Sequence, residues 1–329
     1  MVHFLQKRMD NNLFMKEAIV LLNMGGPNDL DEVQIFLHNM FNDPYIIRTK
    51  STLLRRFIAK MITLTRTVKS QDIYRQIGGK SPIVDLTKSL CSDLSKSLPN
   101  SIIVDFVMRY TPPMAHEVAQ RLKEQGVQKV YLIPLYPQYS TTTTQSSLDD
   151  FETTAHQIGW EVITTEIKHF FSHPTYNQCL IERIKEALGS DSAESYDVIF
   201  SAHGLPQKIV DEGDPYQRHI IAHTELLTAM LRDQGLLFHA THVAYQSKVG
   251  PMKWLEPSLE SALRSLSHKR VIIVPIAFTI DNSETDFELS IEYAHIAHEL
   301  GFEEYRVSRC PNDHPLFVQT LRELYEKMR

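Results

Sequence analysis

The sequence predicts an α/β protein made of two similar lobes, each a parallel sheet flanked by helices, with a cleft between them. Short β-rich runs alternate with helical patterns of 10–20 residues, as parallel strands joined by right-handed crossovers require. The strand ends of the first half recur in order in the second. Glycine is scarce, 12 of 329 residues, yet two pairs occur, Gly25-Gly26 and Gly78-Gly79, and those turns call for positive φ or close backbone approach.

Residues 1–16 mix Asn, Lys and Asp with little periodicity and read as a loose arm. Strands are expected at Ala18–Leu22, Ile102–Val107, Val130–Pro134, Val198–Phe200, His242–Ala244 and Val271–Pro275. Helices are expected at Ala115–Gln125, Leu148–Ile158, Tyr176–Leu188, His219–Gln234 and Leu255–Ser265. AIVLLNMGGP (18–27) pairs with DVIFSAHGLP (197–206), VDFVMRYTPP (104–113) with HVAYQSKVGP (242–251), and VYLIPLYPQYS (130–140) with VIIVPIAFTID (271–281). Either the halves share one architecture or common βα-turn chemistry has converged. On the first reading, one lobe covers 17–155 with an insertion around 38–80, and the other covers 156–329. Packing against the first lobe is an option for the C-terminal helix.

Lys and Arg number 34 against 40 Asp and Glu, a net charge of -6, which argues against a nucleic-acid partner. Three scattered cysteines support neither a disulfide framework nor a zinc ribbon nor a four-cysteine cluster. No 18-residue apolar run or signal peptide is evident, so a cytoplasmic protein is expected.

Ligands of open α/β sheets bind beyond the carboxyl ends of the strands. His203 stands there, directly before a Gly-x-Pro turn. It suits metal binding or proton transfer, or else its ring only bonds a loop carbonyl. Glu284, Glu288 and Glu292, followed by His295, fall on one stripe of an α-helix capped by Ser283, with Asp286 three residues on. The stripe is either a solvated acidic face or a ladder of ligands for a divalent first-row metal. Residues 52–66 form a basic amphipathic stretch, either a core-facing helix or an apolar lip for a flat carboxylate-bearing ligand or a membrane surface. Met24, Tyr110, Tyr136, Tyr139, Trp254 and Phe278 supply wall, and Arg109 and Lys248 supply cations for ligand carboxylates.

LLNMGGP (21–27), IGGKSP (77–82), MRYTPP (108–113), PLYPQYSTTTTQSS (134–147), FSAHGLP (200–206), EGDPY (212–216), YQSKVGPMKWLEP (245–257) and PIAFTIDNSETDFELSIEY (275–293) follow one another as in the ferrochelatase family, which this sequence resembles from about residue 18 onward. The resemblance implies two Rossmann-like lobes around a porphyrin cleft and insertion of Fe²⁺ into protoporphyrin IX. It implies that His203 and Glu284 are catalytic and that metal is handled by His203, Glu284, Glu288 and Glu292. It further implies that Met24, Arg109, Tyr110, Tyr136, Trp254 and Phe278 contact the porphyrin. Met24 stands where some members carry tyrosine, which favours protoporphyrin over coproporphyrin. Some positions depart from the family: its Asp-His-Ile-Glu-Thr motif reads Asp281-Asn282-Ser283-Glu284-Thr285 here. Asn282 thus replaces the histidine, and Gln145 replaces a glycine. The cysteine extension of cluster-bearing members is missing, so neither an iron–sulfur cluster nor another prosthetic group is expected. Other readings are a chelatase for another metal or tetrapyrrole, and a non-catalytic haem or metal carrier. Weak peripheral membrane contact through 52–66 is the remaining expectation.

Overall fold

A computed structural model describes residues 15–248 and 252–329. The expected arm at 1–16 therefore lies almost entirely outside the described residues, as does the end of the 242–251 motif. The first lobe contains β1 (Glu17–Asn23), α1 (Glu32–Phe41), α2 (Thr52–Gln76), α3 (Ile83–Lys96), β2 (Ile102–Met108), α4 (Ala115–Glu124), β3 (Lys129–Pro134), α5 (Ser146–Gln157) and β4 (Ile163–Glu166). The second contains α6 (Pro174–Leu188), β5 (Asp197–His203), α7 (Gln207–Asp211), α8 (Tyr216–Asp233), β6 (Ala240–Gln246), α9 (Leu259–Ser265) and β7 (Arg270–Pro275). A π-helix (Glu284–Glu292), α10 (Tyr293–Glu299), β8 (Glu304–Val307) and α11 (Pro315–Met328) complete it.

Each lobe is built on a four-stranded sheet, ordered β2-β1-β3-β4 and β6-β5-β7-β8. Every pairing is parallel. The central strands β1 and β5 are β-branched and aliphatic because helices cover both of their faces. Ile19, Leu21, Tyr131 and Ile133 of the first sheet share one apolar core with Val198, Phe200, Ile272 and Val274 of the second. Each such side chain contributes roughly 1.5–3 kcal/mol on burial, so the lobes form one body rather than two hinged domains. α11 seals the junction: Tyr325 meets Tyr131 edge-on at 4.9 Å and donates to Glu17 at 3.1 Å.

Two hydrogen bonds join the loops after β3 and β7. Gln138 Nε2 donates to Ile276 O at 3.0 Å, and Thr279 Oγ1 donates to Leu135 O at 2.8 Å. The offset that carries Pro134 onto Pro275 also carries Gln138 onto Thr279 and Leu135 onto Ile276. Equivalent loops thus clasp each other reciprocally.

The boundary expected at 155 is corrected, since β4 at Ile163–Glu166 belongs to the first sheet. Neither β4 nor β8 was expected. Both are short edge strands, half-exposed over most of their length and without an apolar run. α9 begins at Leu259, later than expected, because Leu255 N is used by Leu205 O at 3.0 Å. The two glycine pairs behave as expected. Gly25, Gly78 and Gly79 have positive φ, and a Cβ on Gly26 would lie 2.6 Å from Ser81 Cβ.

Candidate active site

His203 closes β5 at the carboxyl edge of the second sheet, between β6 and β7. The next residue is glycine for lack of room: a Cβ on Gly204 would stand 2.8 Å from Gln246 O and 3.3 Å from the Trp254 ring. Tyr216 Oη donates to His203 O at 3.0 Å, which fixes the backbone. The imidazole Nδ1 lies 2.8 Å from Glu284 Oε2. Among the described residues, Nε2 has no hydrogen-bond partner, and 39% of the side chain is exposed. One nitrogen is anchored, and the side chain is partly open to solvent.

Glu284 opens the π-helix. Asn282 Oδ1 accepts from Glu284 N at 2.8 Å, and Thr285 Oγ1 accepts from Asn282 N at 2.9 Å, a reciprocal cap at the helix start. Ser283 was the expected cap and makes no such bond; its hydroxyl lies 3.2 Å from Tyr74 Oη at the end of α2. Ser247 then ties the acids together. Its hydroxyl lies 3.0 Å from Glu284 Oε2 and 2.5 Å from Glu288 Oε2, and its N–H donates to Glu288 Oε1 at 2.8 Å. Reaching both carboxylates puts Ser247 at φ 66, a strained conformation for a non-glycine residue that these bonds offset. Gln246 adds a bond to Glu284 at 3.2 Å and is itself held by Ser201 at 2.7 Å.

The electrostatics follow from this packing. Burial works against charge on His203, but the Glu284 carboxylate outweighs it and lifts the imidazole above its ordinary 6.5. Burial works against charge on Glu284 as well, but His203, Ser247 and Gln246 hold it below 4.5. Glu288 lacks a cation in contact, so burial and the neighbouring Glu284 push it up to about 7. The trio therefore holds a hydrogen-bonded imidazole–carboxylate pair beside a carboxyl group, Glu288, that gains or loses a proton near neutral pH.

The expected four-membered stripe is corrected. The segment Glu284–Glu292 is a π-helix, bonded i→i+5, and not the expected α-helix. Glu284 and Glu288 gather at His203 and Ser247, while Glu292 is exposed. His295, on α10, points to solvent and pairs with Glu299 at 3.2 Å. In the first lobe Arg109 is already engaged, with Asp43 at 3.0 Å, Asp150 at 3.2 Å and Ser146 at 2.9 Å. It is not an open cation awaiting a ligand carboxylate. Tyr110 is buried and donates to Asp43 at 2.9 Å, and Tyr136 is buried 3.1 Å from Ser147. Both stand behind the wall rather than on its surface. Trp254 backs Gly204, whereas Met24 and Phe278 are half-buried at strand-end loops.

A family model described as Ferrochelatase matches residues 16–329. A protein named Ferrochelatase from Sulfurimonas denitrificans is 58% identical over 95% of this chain and 99% of its own. One from Nitratiruptor sp. is 48% identical over 95% of this chain and 100% of its own. The chain belongs to the ferrochelatase family. Among solved structures, SirB from Bacillus subtilis with Fe³⁺ is similar in fold, with a TM-score of 0.57, 13% identity, and coverage of 95% of this chain and 96% of that one.

Two departures from the ferrochelatase pattern now have a structural meaning. Asn282 replaces an imidazole and serves as the cap that aims Glu284. Gln145 replaces a glycine and bridges Tyr139 at 2.8 Å and Asp149 at 2.6 Å. The core-facing reading of 52–66 is corrected too. Leu53, Leu54, Phe57, Met61, Leu64 and Val68 of α2 are 47–77% exposed. At 100° per residue all six fall on one stripe, flanked by Arg56, Lys60 and Lys69. Only Ala59, Thr63 and Tyr74 of α2 are buried. Lys248 is exposed at the edge of the described residues. Ser247, Gln246, Ser201, Asp43 and Tyr74 escaped the sequence reading. Ser247 lies inside a quoted motif, yet nothing in its type announces a hydroxyl between two carboxylates.

Proposed function

We propose that this chain is a ferrochelatase that inserts Fe²⁺ into protoporphyrin IX, giving protohaem and two protons. The observation that carries the reading is the His203–Glu284 pair, anchored at Nδ1 at 2.8 Å, on a partly exposed side chain at the carboxyl end of β5. A planar porphyrin hides its nitrogen lone pairs, so the cleft must hold the macrocycle bent, at a cost of a few kcal/mol drawn from apolar contact. His203 Nε2 then accepts a pyrrole proton or briefly holds the incoming ion. Glu284 stabilises the resulting imidazolium. Glu288, titrating near neutrality, takes the second proton through the Ser247 hydroxyl and releases it to solvent. Met24, Phe278 and Trp254 line or back the porphyrin wall, with Tyr110, Tyr136 and Arg109 supporting it from behind. Glu292 stands at the outer end of this acidic run, where a metal ion would first be met.

The reading needs no prosthetic group. No described helix is long and apolar enough to cross a membrane. A cytoplasmic enzyme that rests on an anionic surface through the exposed stripe of α2 fits these features and the acidic composition, which disfavours nucleic acid. The test is anaerobic incubation with Fe²⁺ and protoporphyrin, following free-base fluorescence. Enzyme at catalytic level should quench it over many turnovers, and His203→Ala should slow turnover by ~10²-fold or more while melting normally. Quenching that stops at one equivalent would mark a carrier instead.

A further inference from the structure

We propose that Asp197, His239 and His268 form a second metal site, for a divalent first-row transition ion, at the end of the second sheet remote from the cleft. The backbone brings them together. Asp197 is the first residue of β5 and pairs in register with Ala240 of β6 and Val271 of β7. His239 immediately precedes Ala240, and His268 lies just before β7, so the two imidazoles flank the central carboxylate from neighbouring strand starts. One donor atom from each residue lies within 4.8 Å of the other two.

Three features point to a ligand rather than to a solvated surface. The Asp197 side chain is 2% exposed, and His239 Nδ1 lies 2.8 Å from its carboxylate. Burying a carboxylate this deeply is costly without a cation. His268 Nδ1 is shielded from solvent without any hydrogen-bond partner among the described residues. The two rings stack at 4.5 Å and 23°, placing two imidazoles side by side next to the acid. Neighbouring cations are engaged elsewhere: Lys269 bonds Leu266 O at 3.2 Å, and Arg270 lies over the Tyr196 ring at 4.8 Å. Two imidazoles and a carboxylate suit zinc, cobalt, nickel or ferrous ions and not calcium or magnesium, which prefer oxygen. Bonds of about 2.0–2.2 Å set ligand atoms roughly 3.3 Å apart, and the half-exposed His239 has room to swing in. Asp197 and His203 are opposite ends of one strand, about 20 Å apart, so such an ion is not the iron bound for the porphyrin. It ties three strand starts together instead.

The probe is Co²⁺ alone, followed anaerobically by equilibrium dialysis and visible absorption on the full chain. The wild type should bind one equivalent more than His239→Ala/His268→Ala, and His203→Ala should keep that equivalent. Iron insertion by the double variant should stay within about twofold of wild type. Asp197→Asn, which retains the shape and removes the charge, should weaken this binding by ~10-fold or more, and it decides the matter should the double variant not fold. Unchanged stoichiometry and affinity in these variants, or loss of the same equivalent in His203→Ala, would overturn the proposal.

Discussion

Glu284 does two things at once: it orients His203 and raises its pKa. A group raised above its ordinary value stays protonated to higher pH, and a protonated His203 can neither accept a pyrrole proton nor hold Fe²⁺. Insertion should therefore fall as pH drops through that raised value. In Glu284→Gln the attraction is gone, so the acid limb of kcat/KM should move to lower pH even as the maximum falls. An acid limb that does not move would take Glu284 out of this role. His203 and Glu284 could be singled out in the sequence by their place beyond strand ends and by the family motifs around them, but their 2.8 Å pairing could not. Ser247 and Asp43 were not, because their roles come from chain segments far apart in sequence. Arg109 was legible as a cation but misread as open, since its acid partner Asp43 lies in an insertion that periodicity cannot position.

At the scale of the element, the π-helix gathers Glu284 and Glu288 and pays for it in stability. Glu288 titrates at about 7 when folded, against an ordinary 4.5, so the folded state binds the extra proton between those values. By linkage, its contribution to stability falls as pH rises from about 4.5 to 7. Glu288→Gln should leave melting unchanged near pH 4.5 and raise it by about 2–4 °C at pH 8, a gain on the order of 1–3 kcal/mol. Calorimetry at the two pH values reads this directly, and equal shifts at both would refute it. The wide turn had no compositional signature. Only the folded chain reveals Ser290 Oγ donating to Thr285 O at 2.6 Å inside it. The α2 stripe was legible as amphipathic, but which side faced the core was not, because a basic amphipathic pattern fits either orientation. With Leu53 77% and Phe57 63% exposed, replacing both by Asp should shift melting by ~1 °C or less. The same variant should raise the porphyrin KM several-fold and abolish sedimentation with anionic phosphatidylglycerol vesicles. A large fall in melting temperature would show that the stripe is packed after all.

The whole molecule depends on a polar junction between lobes that the sequence did not announce. His223 of α8 is fully buried, accepts from Gln138 of the first lobe at 2.9 Å and donates from Nε2 to Asn177 at 2.8 Å. Burial lowers its pKa from 6.5 to about 3. A base held neutral in this way contributes fully above its unfolded value and loses that contribution as pH falls from about 6.5 toward 3, on the order of a few kcal/mol. The urea midpoint should drop across that window in the wild type and much less steeply in His223→Gln. Parallel slopes would clear His223 of responsibility for acid sensitivity. The two-lobed plan itself was readable from recurring strand ends, whereas the edge strands that set the true lobe boundary were too short and too polar to see.

The reciprocal bonds Gln138–Ile276 and Thr279–Leu135 have a consequence for the chemistry. They are the pattern of a twofold axis, in which each side offers the other the same surface. A homodimer of one half-length chain built on that axis would present identical walls to a macrocycle. Either two histidines or two thioethers would face it, and neither side would be distinguished for metal entry. Fusion of the halves removes that constraint. Met24 follows β1 directly while the equivalent position, at the end of β5, is His203, so a symmetric frame carries unequal side chains at equivalent places.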